Sequence, residues 1–513
     1  MESREFEKPG PLTVLWLWVE KLVNGFTTSE YNPFYYLGAV SIFFLWVILV
    51  SGIYLFLFYE ITARGAYASV EYLTVNQWYL GGVMRSLHRY ASDGLVITML
   101  LHAARCFALD RYKHWRWIAW VSGVVMAWII WIGGIFGYWM VWDEKAKLVA
   151  SLSARLIESL PIFGLPLSLN FVRLDNLTDQ LFYIVLFIHF SSIFFLFILI
   201  LIHIMRVTKS VINPPKTVAW GLVIMLLVVS FIKPATSAPP ADLKGLTQTV
   251  PFDWFYMAIF PFLKAASPRM LWAFIVALTL IGGAVPWLTR TRRRPAAALT
   301  LENCTGCELC MEDCPYQAIQ MRKRTDGMPY HLEAVIMDKR CASCGICVGA
   351  CDYKALNLPD ITEDDLKSSI RRLAGELKDS TQDKRVMVFV CAKGALPVNA
   401  LDGKGGLRGF EWARVVAVPC IGMVQPSMLS IPFEKGLAID GVYVAGCRHG
   451  DCDYRRGDEW FAGRLAGVRP PVVKKSLERD RVRFAALSAV EQDKLLSDLK
   501  DFHASLKGRS TEK

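Results

Sequence analysis

The chain has 513 residues, a formal net charge of +11 and 54% hydrophobic residues, enough for several domains. That average conceals two halves: long apolar runs up to about Leu288, then dispersed charge and short apolar runs beyond Arg290. The excess positive charge includes Arg290, Arg292, Arg293 and Arg294 directly after the last apolar run, which points to a membrane surface and away from nucleic acid.

Residues 1–34 form an N-terminal segment in which 11–25 read as an amphipathic helix lying on a surface. No cleavable signal peptide is expected, because the first apolar stretch lacks a small-residue cleavage site and more spans follow. Within 35–290, six runs (36–58, 80–104, 117–141, 180–205, 217–233 and 270–289) are long enough, or nearly so, to cross a hydrocarbon core of about 30 Å. Arg105, Arg111, Lys113 and Arg116 follow the second run, and Arg206, Lys209 and Lys216 follow the fourth. The first opposite loop carries only Arg64, so both termini are expected on the cytoplasmic side.

Four of the eight histidines fall inside these runs: His88 and His102 in the second, His189 and His203 in the fourth. Each pair is fourteen residues apart, nearly four turns at about 3.6 residues per turn, so both rings point to one face, roughly 21 Å apart along the axis. Two facing helices of this kind make two stacked bis-histidine sites. Neutral imidazole suits haem iron, and two axial imidazoles leave no open position, which favours electron transfer. The competing reading, polar residues lining a bundle, is weakened by the cost of ionisable groups in a membrane. Gly38 and Gly52 in the first run, and Gly123 and Gly137 in the third, repeat the fourteen-residue interval and offer room for a flat macrocycle.

The run RSLHRYASDGLVITMLLHAAR (85–105), the GYWMVWDE at 137–144 and the histidine pairs resemble the cytochrome b of quinol-oxidising bc-type complexes over about 30–290. The resemblance implies a six-span, all-α, di-haem bundle, with His88 and His189 holding the outer b haem and His102 and His203 the inner one. Arg85 and Arg105 would balance haem propionates, although interfacial snorkelling also accounts for arginines there. It implies quinone as substrate near each haem, with Arg206 marking the neighbourhood of the inner site, and it allows a dimer through this domain. The family's outer site carries Pro-Glu-Trp-Tyr between the fifth and sixth spans; here PFDWFY (251–256) has an extra residue after Pro251 and a shorter acid. Asp253 would accept the proton, with Trp254, Phe255 and Tyr256 as an aromatic wall; the alternative is an interfacial aromatic belt.

Twelve of the thirteen cysteines lie after Leu301 in clusters spaced for metals, which suits a reducing compartment. Over 297–358, Cys304, Cys307, Cys310 and Cys314 precede Pro315, and Cys341, Cys344, Cys347 and Cys351 precede Asp352. This is the bacterial two-cluster ferredoxin pattern, an α+β domain in which each fourth cysteine ligates the other cluster. One [4Fe–4S] cluster then takes Cys304, Cys307, Cys310 and Cys351, and the other Cys341, Cys344, Cys347 and Cys314. Tight three-cysteine runs do not suit structural zinc.

A charged helix (362–379) leads to a small α/β domain at 385–470, whose strand-like runs end at Cys391, Cys420 and Cys447; Cys452 completes four thiols able to bind iron or zinc. GCRHGDCDY (446–454) resembles the delta subunit of methyl-viologen-reducing hydrogenase. That family implies a [2Fe–2S] cluster, with zinc as the alternative, and a flavin-containing, heterodisulfide-reductase-type partner. It often has a further cysteine where this chain has Gly394. His449 lies inside the motif, either beside a cluster or on a surface loop; His114, His331 and His503 read as solvated, and Cys106 is left over. The stretch 471–513 contains a charged amphipathic helix, about 472–507. GKGGLRG (403–409) is no nucleotide-binding turn.

Together these features lead to a multi-pass protein of a prokaryotic inner membrane, in contact with lipid, that joins a quinone pool to a cytoplasmic flavoprotein. Two other readings compete: a passive anchor and relay without its own quinone site, and a bc-type subunit working with a separate Rieske protein.

Overall fold

The computed structural model describes residues 9–161, 168, 171, 177–205, 210–245, 250–289, 293–378, 384–394, 400–402, 405–437, 439–473 and 477–506. Arg206, Lys209, Arg290, Arg292 and residues 403–404 of the glycine-rich loop lie outside the described residues. The chain divides into two compact units. One comprises Tyr36–Met205 and Val211–Arg290; the other holds the N-terminal segment together with Thr291–Lys513.

The helices begin with α1 (Pro11–Tyr31), α2 (Leu37–Phe56), α3 (Gly65–Val75), α4 (Val83–Ala108) and α5 (Trp117–Val141). They continue with α6 (Glu144–Ile157), α7 (Asp179–Met205), α8 (Lys216–Ile232), α9 (Phe262–Ala265) and α10 (Pro268–Leu288). All but α1 belong to the helical unit. There α2 packs along α4 and α5 along α7. The first pairing is close: a Cβ at Gly94 would stand 2.7 Å from the Phe44 ring, so only glycine admits the ring. α5 ends where Trp142 turns left-handed at φ 53°, and Asp143 then caps α6 by accepting from Ala146 N at 2.7 Å.

Among the described residues, four helical segments are long and apolar enough to cross a membrane: Pro33–Phe56, His114–Val141, Asp179–Met205 and Pro268–Leu288. The sequence reading expects six, and the two that fall short do so for different reasons. α8 is apolar but has 17 residues, about 26 Å at about 1.5 Å each. α4 has 26 residues, and its arginines, histidines and Asp93 lower its hydropathy.

In the second unit the ferredoxin-like portion has two antiparallel pairs, β1 (Ala298–Leu299) with β4 (Leu356–Asn357), and β2 (Ile319–Lys323) with β3 (Leu332–Ile336). The short helices α11 (Leu309–Asp313) and α12 (Ile346–Gly349) each lie within a cysteine run. After α13 (Glu363–Lys378) comes one five-stranded sheet: β5 (Val386–Cys391), β6 (Gly406–Leu407), β7 (Phe410–Val418), β8 (Gly441–Cys447) and β9 (Val482–Leu487). Its order is β6-β7-β5-β8-β9, parallel except for β6, and helices α14 (Pro426–Ser430), α15 (Gly457–Ala466) and α16 (Gln492–Ser505) complete the unit. Central β5 is buried along its whole length, as parallel strands covered on both faces are.

Two expectations change, and the N-terminal helix gains partners. The α/β fold does not stop at 470: β9 extends the sheet, and Leu495, Leu499 and Phe502 of α16 enter its core. The edge strand VRFAAL is only half-buried, so its sequence lacks the apolar run that marks the other strands. His503 stacks on Trp412 with ring centroids 3.8 Å apart, not in solvent. Finally, α1 belongs to the compact unit of the C-terminal domains. Arg448 donates to Glu30 O at 2.9 Å and lies over the Tyr35 ring, and Lys21 pairs with Asp493 at 3.0 Å.

Because Leu499 is fully buried, Leu499→Ala should cost about 2–5 kcal/mol. Limited proteolysis across a urea series should then cut the C-terminal domain at lower urea than in the unaltered chain.

Candidate redox sites

Helices α4 and α7 bring the four histidines together in the expected pairs. The His88 and His189 ring centroids are 6.3 Å apart, and so are those of His102 and His203. An imidazole nitrogen bonds a metal at about 2 Å, so two rings on opposite sides of one iron hold their centroids roughly 6 Å apart. Each pair is thus spaced for one iron.

Polar neighbours fix the rings. His88 Nδ1 lies 3.0 Å from Ile48 O and 3.2 Å from Ser51 Oγ, and His189 Nδ1 lies 2.8 Å from Gly133 O. A carbonyl only accepts, so Nδ1 of each carries the proton and Nε2 keeps its lone pair for a metal. His203 Nδ1 is 3.1 Å from Ser122 Oγ. The glycines back the rings directly. A Cβ would stand 3.0 Å from His88 Cε1 at Gly52, 3.1 Å from His189 Cε1 at Gly137, 3.3 Å from His102 Cε1 at Gly38 and 3.7 Å from His203 Cε1 at Gly123. The repeated interval thus matches each histidine with a glycine on the neighbouring helix.

A cavity of about 1430 Å³ opens beside the first pair, lined by His88, His189, Gly52 and Gly137. Arg85 lines it too, but its guanidinium already pairs with Glu71 at 3.0 Å and with Thr74 and Ser237. Arg105 is buried.

Tyr256 also lines this cavity; its hydroxyl lies 2.9 Å from Ser92 Oγ, and its ring occupies the space that a Cβ at Gly134 would take. Burial pushes the Tyr256 phenol up to about 12. Asp253 is only 5% exposed and is absent from the cavity lining. One carboxylate oxygen takes the amides of Phe255 and Tyr256 at 3.0 and 2.8 Å; the other takes Tyr138 Oη at 2.6 Å and Arg89 Nη2 at 2.9 Å. Burial alone would raise this acid, yet the Tyr138 hydroxyl, the loop amides and Arg89 outweigh it and hold the carboxyl below its ordinary range. Its geometry is that of a fastening for the 251–256 loop. Trp254 is exposed.

In the second unit Cys304, Cys307, Cys310 and Cys351 line one small cavity. Burial and then Cys307, Cys351 and Cys304 push the Cys310 thiol up to about 12. Cys347 is raised by burial and then by Cys344, Cys341 and Cys314. The fourth cysteine of each run therefore lies with the three of the other. A third group gathers at the carboxyl ends of parallel strands, with Cys391 Sγ 3.3 Å from Cys447 Sγ and Cys452 within hydrogen-bond reach of Cys447 and Cys420. Glycines make room for it. A Cβ at Gly394 would fall 2.5 Å from Cys447 Sγ, and one at Gly457 would collide with Cys420 Sγ. His449 is exposed and faces Asp458 at 3.4 Å and Glu459 at 3.6 Å.

Sequence reasoning missed the bond network that joins the two ferredoxin-like cysteine groups to the third. Arg464, almost wholly buried, pairs with Asp313 beside Cys314 and donates to Gly422 O at 2.9 Å, near Cys420. Arg469 also pairs with Asp313, and Gln425 Nε2 reaches Cys351 O at 2.8 Å.

Apolar helices holding paired histidines, continued by thiol clusters, define a membrane electron-transfer protein. Comparison with known families identifies the parts. Residues 22–180 match Cytochrome b/b6/petB, 303–356 match the 4Fe-4S dicluster domain, and 386–508 match Methyl-viologen-reducing hydrogenase, delta subunit. The chain therefore carries a cytochrome b domain, which implies b-type haem, a dicluster domain, which implies [4Fe–4S] clusters, and a delta-subunit-like domain. The cytochrome b match ends before His189 and His203, and the last match includes β9 and α16. Cytochrome b6 of Mastigocladus laminosus is 28% identical over 146 residues, 28% of this chain and 67% of that protein. Cytochrome b6 of Desmonostoc sp. is 26% identical over 149 residues, 29% and 69% respectively. A solved structure titled "Hyperthermophilic respiratory Complex III" aligns at a TM-score of 0.41 and 17% identity, covering 54% of this chain and 83% of that one.

Asp253 supplies a pH test. Since its folded form favours ionisation, its contribution to stability is present above the unfolded pKa of about 3.9 and is lost as pH falls through the lower folded value. Asp253→Asn should destabilise by about 1–3 kcal/mol at neutral pH, and the gap in melting temperature should close below about pH 4.

Proposed function

We propose that the chain is a multi-pass subunit of a quinone-linked oxidoreductase in a prokaryotic inner membrane, coupling a quinone pool to a cytoplasmic, flavin-containing, heterodisulfide-reductase-like partner. Two b haems, two [4Fe–4S] clusters and one [2Fe–2S] cluster supply one-electron carriers when bound. His88 with His189, and His102 with His203, would hold the two haem irons. Cys304, Cys307, Cys310 and Cys351 would hold one [4Fe–4S] cluster, and Cys341, Cys344, Cys347 and Cys314 the other. Cys391, Cys420, Cys447 and Cys452 would hold the [2Fe–2S] cluster, with zinc as the alternative.

The observation that carries this reading is the repeated 6.3 Å histidine pair, each ring backed by a glycine. The cavity against the first pair supports a quinone site there, with Tyr256 in its wall. Six spans remain the reading because α4 carries two of the four histidines and α8 packs on α4. The bonds from α1 to Arg448 and Asp493 support the N-terminus and the iron–sulfur domains lying on one side, which the thiol content favours as the cytoplasm. A dimer through the cytochrome b domain fits the same reading.

An optical and EPR redox titration of the purified chain should resolve two low-spin haems, two [4Fe–4S] centres and one [2Fe–2S] centre. A single b haem overturns the di-haem reading, and zinc at the last site would leave its EPR signal missing and two irons fewer per chain. Quinol-driven haem reduction without other subunits separates this function from a passive anchor; dependence on a co-purifying Rieske protein favours a bc-type subunit. The glycine distances add a graded test. Gly52→Ala crowds His88 and should lower haem per chain from two toward one, whereas Gly123→Ala, with 3.7 Å available, should retain both.

A further inference from the structure

Four carboxylates line the cavity beside His88 and His189: Asp93, Asp143, Glu144 and Asp242. Three have other engagements. Asp143 accepts from Ala146 N and Ala238 N, one amide on each oxygen. Glu144 accepts from Asp242 N and faces Lys147 at 3.7 Å, and Asp242 sits on an exposed turn, accepting from Lys244 N. Asp93 differs. It lies on α4, five residues after His88, with its side chain 32% exposed. Its Oδ1 pairs with Arg89, and among the described residues its Oδ2 takes no hydrogen bond.

The surroundings suit an acid that gains and loses a proton. Arg89 bridges Asp93 and Asp253, so one guanidinium faces two carboxylates. The other titratable groups facing Asp93 are Tyr90 on its own helix, Tyr138 from α5, Lys145 from α6, and Tyr256 from the 251–256 loop. Ser92, its chain neighbour, meets the Tyr256 hydroxyl, so a polar strip runs along the cavity wall. Asp253 does not line this space, and both of its oxygens are occupied.

We propose that Asp93, and not Asp253, receives the ring-hydroxyl proton of a quinol seated in this cavity, a role that rests on the quinone reading above. The quinol O–H bond breaks, its electron pair stays on the ring oxygen, and the proton forms a new O–H bond on Asp93 Oδ2. Arg89 then faces one carboxylate, that of Asp253, and one neutral acid.

The test uses the full holoprotein in detergent, fully reduced under anaerobic conditions so that no electron transfer follows binding, with decylubiquinol as probe. Calorimetry should show binding to the unaltered chain, weakened about tenfold by Asp93→Asn and restored by Asp93→Glu. Infrared difference spectra on adding decylubiquinol should contain a shifted carboxylate band, from the quinol hydroxyl donating to Asp93 Oδ2, that Asp93→Asn removes, and an unchanged haem spectrum certifies that the variant folds. Wild-type affinity and band in Asp93→Asn, with the loss carried by Asp253→Asn instead, overturn the assignment while leaving the quinone reading intact. No binding to the unaltered chain overturns both.

Discussion

Placing two imidazoles face to face inside an apolar bundle constrains everything around them. Each ring needs a partner for Nδ1 where no water competes, and Ile48 O, Gly133 O and Ser122 supply these from α2 and α5. Each also needs space on the side facing the neighbouring helix, so glycines occur at the same interval as the histidines. The pairing of α2 with α4 and of α5 with α7 follows: the helix that carries the ring must lie against the helix that carries its glycine. Two rings fourteen residues apart repeat the demand at two depths, leaving little freedom in how these helices turn about their axes.

Much of this was legible because a rigid periodic element converts spacing into direction. The histidine and glycine intervals, the crossed cysteine runs and the three cysteine-terminated strands depend on local geometry and reach the page as written. Features that depend on partners distant in sequence did not. Nothing in PFDWFY shows that Asp253 is filled by Tyr138, Arg89 and two amides, since Tyr138 is 115 residues away. The strand β9 hid because an edge strand exposes half its side chains and so lacks the apolar run of a central strand. The Asp313 clamp hid because both of its arginines lie about 150 positions further along the chain.

Charge is handled differently in the two units. In the helical unit Arg85 and Arg89 are met by Glu71, Asp93 and Asp253, and Lys145 lies near the same group, so the positive groups near the first histidine pair are matched almost one for one. Such matching is what allows ionisable groups beside an apolar interior. In the second unit, buried Asp313 holds Arg464 and Arg469 together between two thiol clusters. Among the described residues Arg464 Nε has no hydrogen-bond partner, so the clamp keeps an unmet donor at its centre.

The seat of α1 has a consequence for how the protein is made. The helix is made well before the groups that secure it: Arg448 follows Glu30 by 418 residues, and Asp493 follows Lys21 by 472. Domains generally fold in order of synthesis. Here α1 must wait for these two contacts until the residues of the five-stranded sheet have been translated. Docking of α1 is therefore a late step: a chain cut short within β8 lacks both Arg448 and Asp493 and leaves the helix without either anchor.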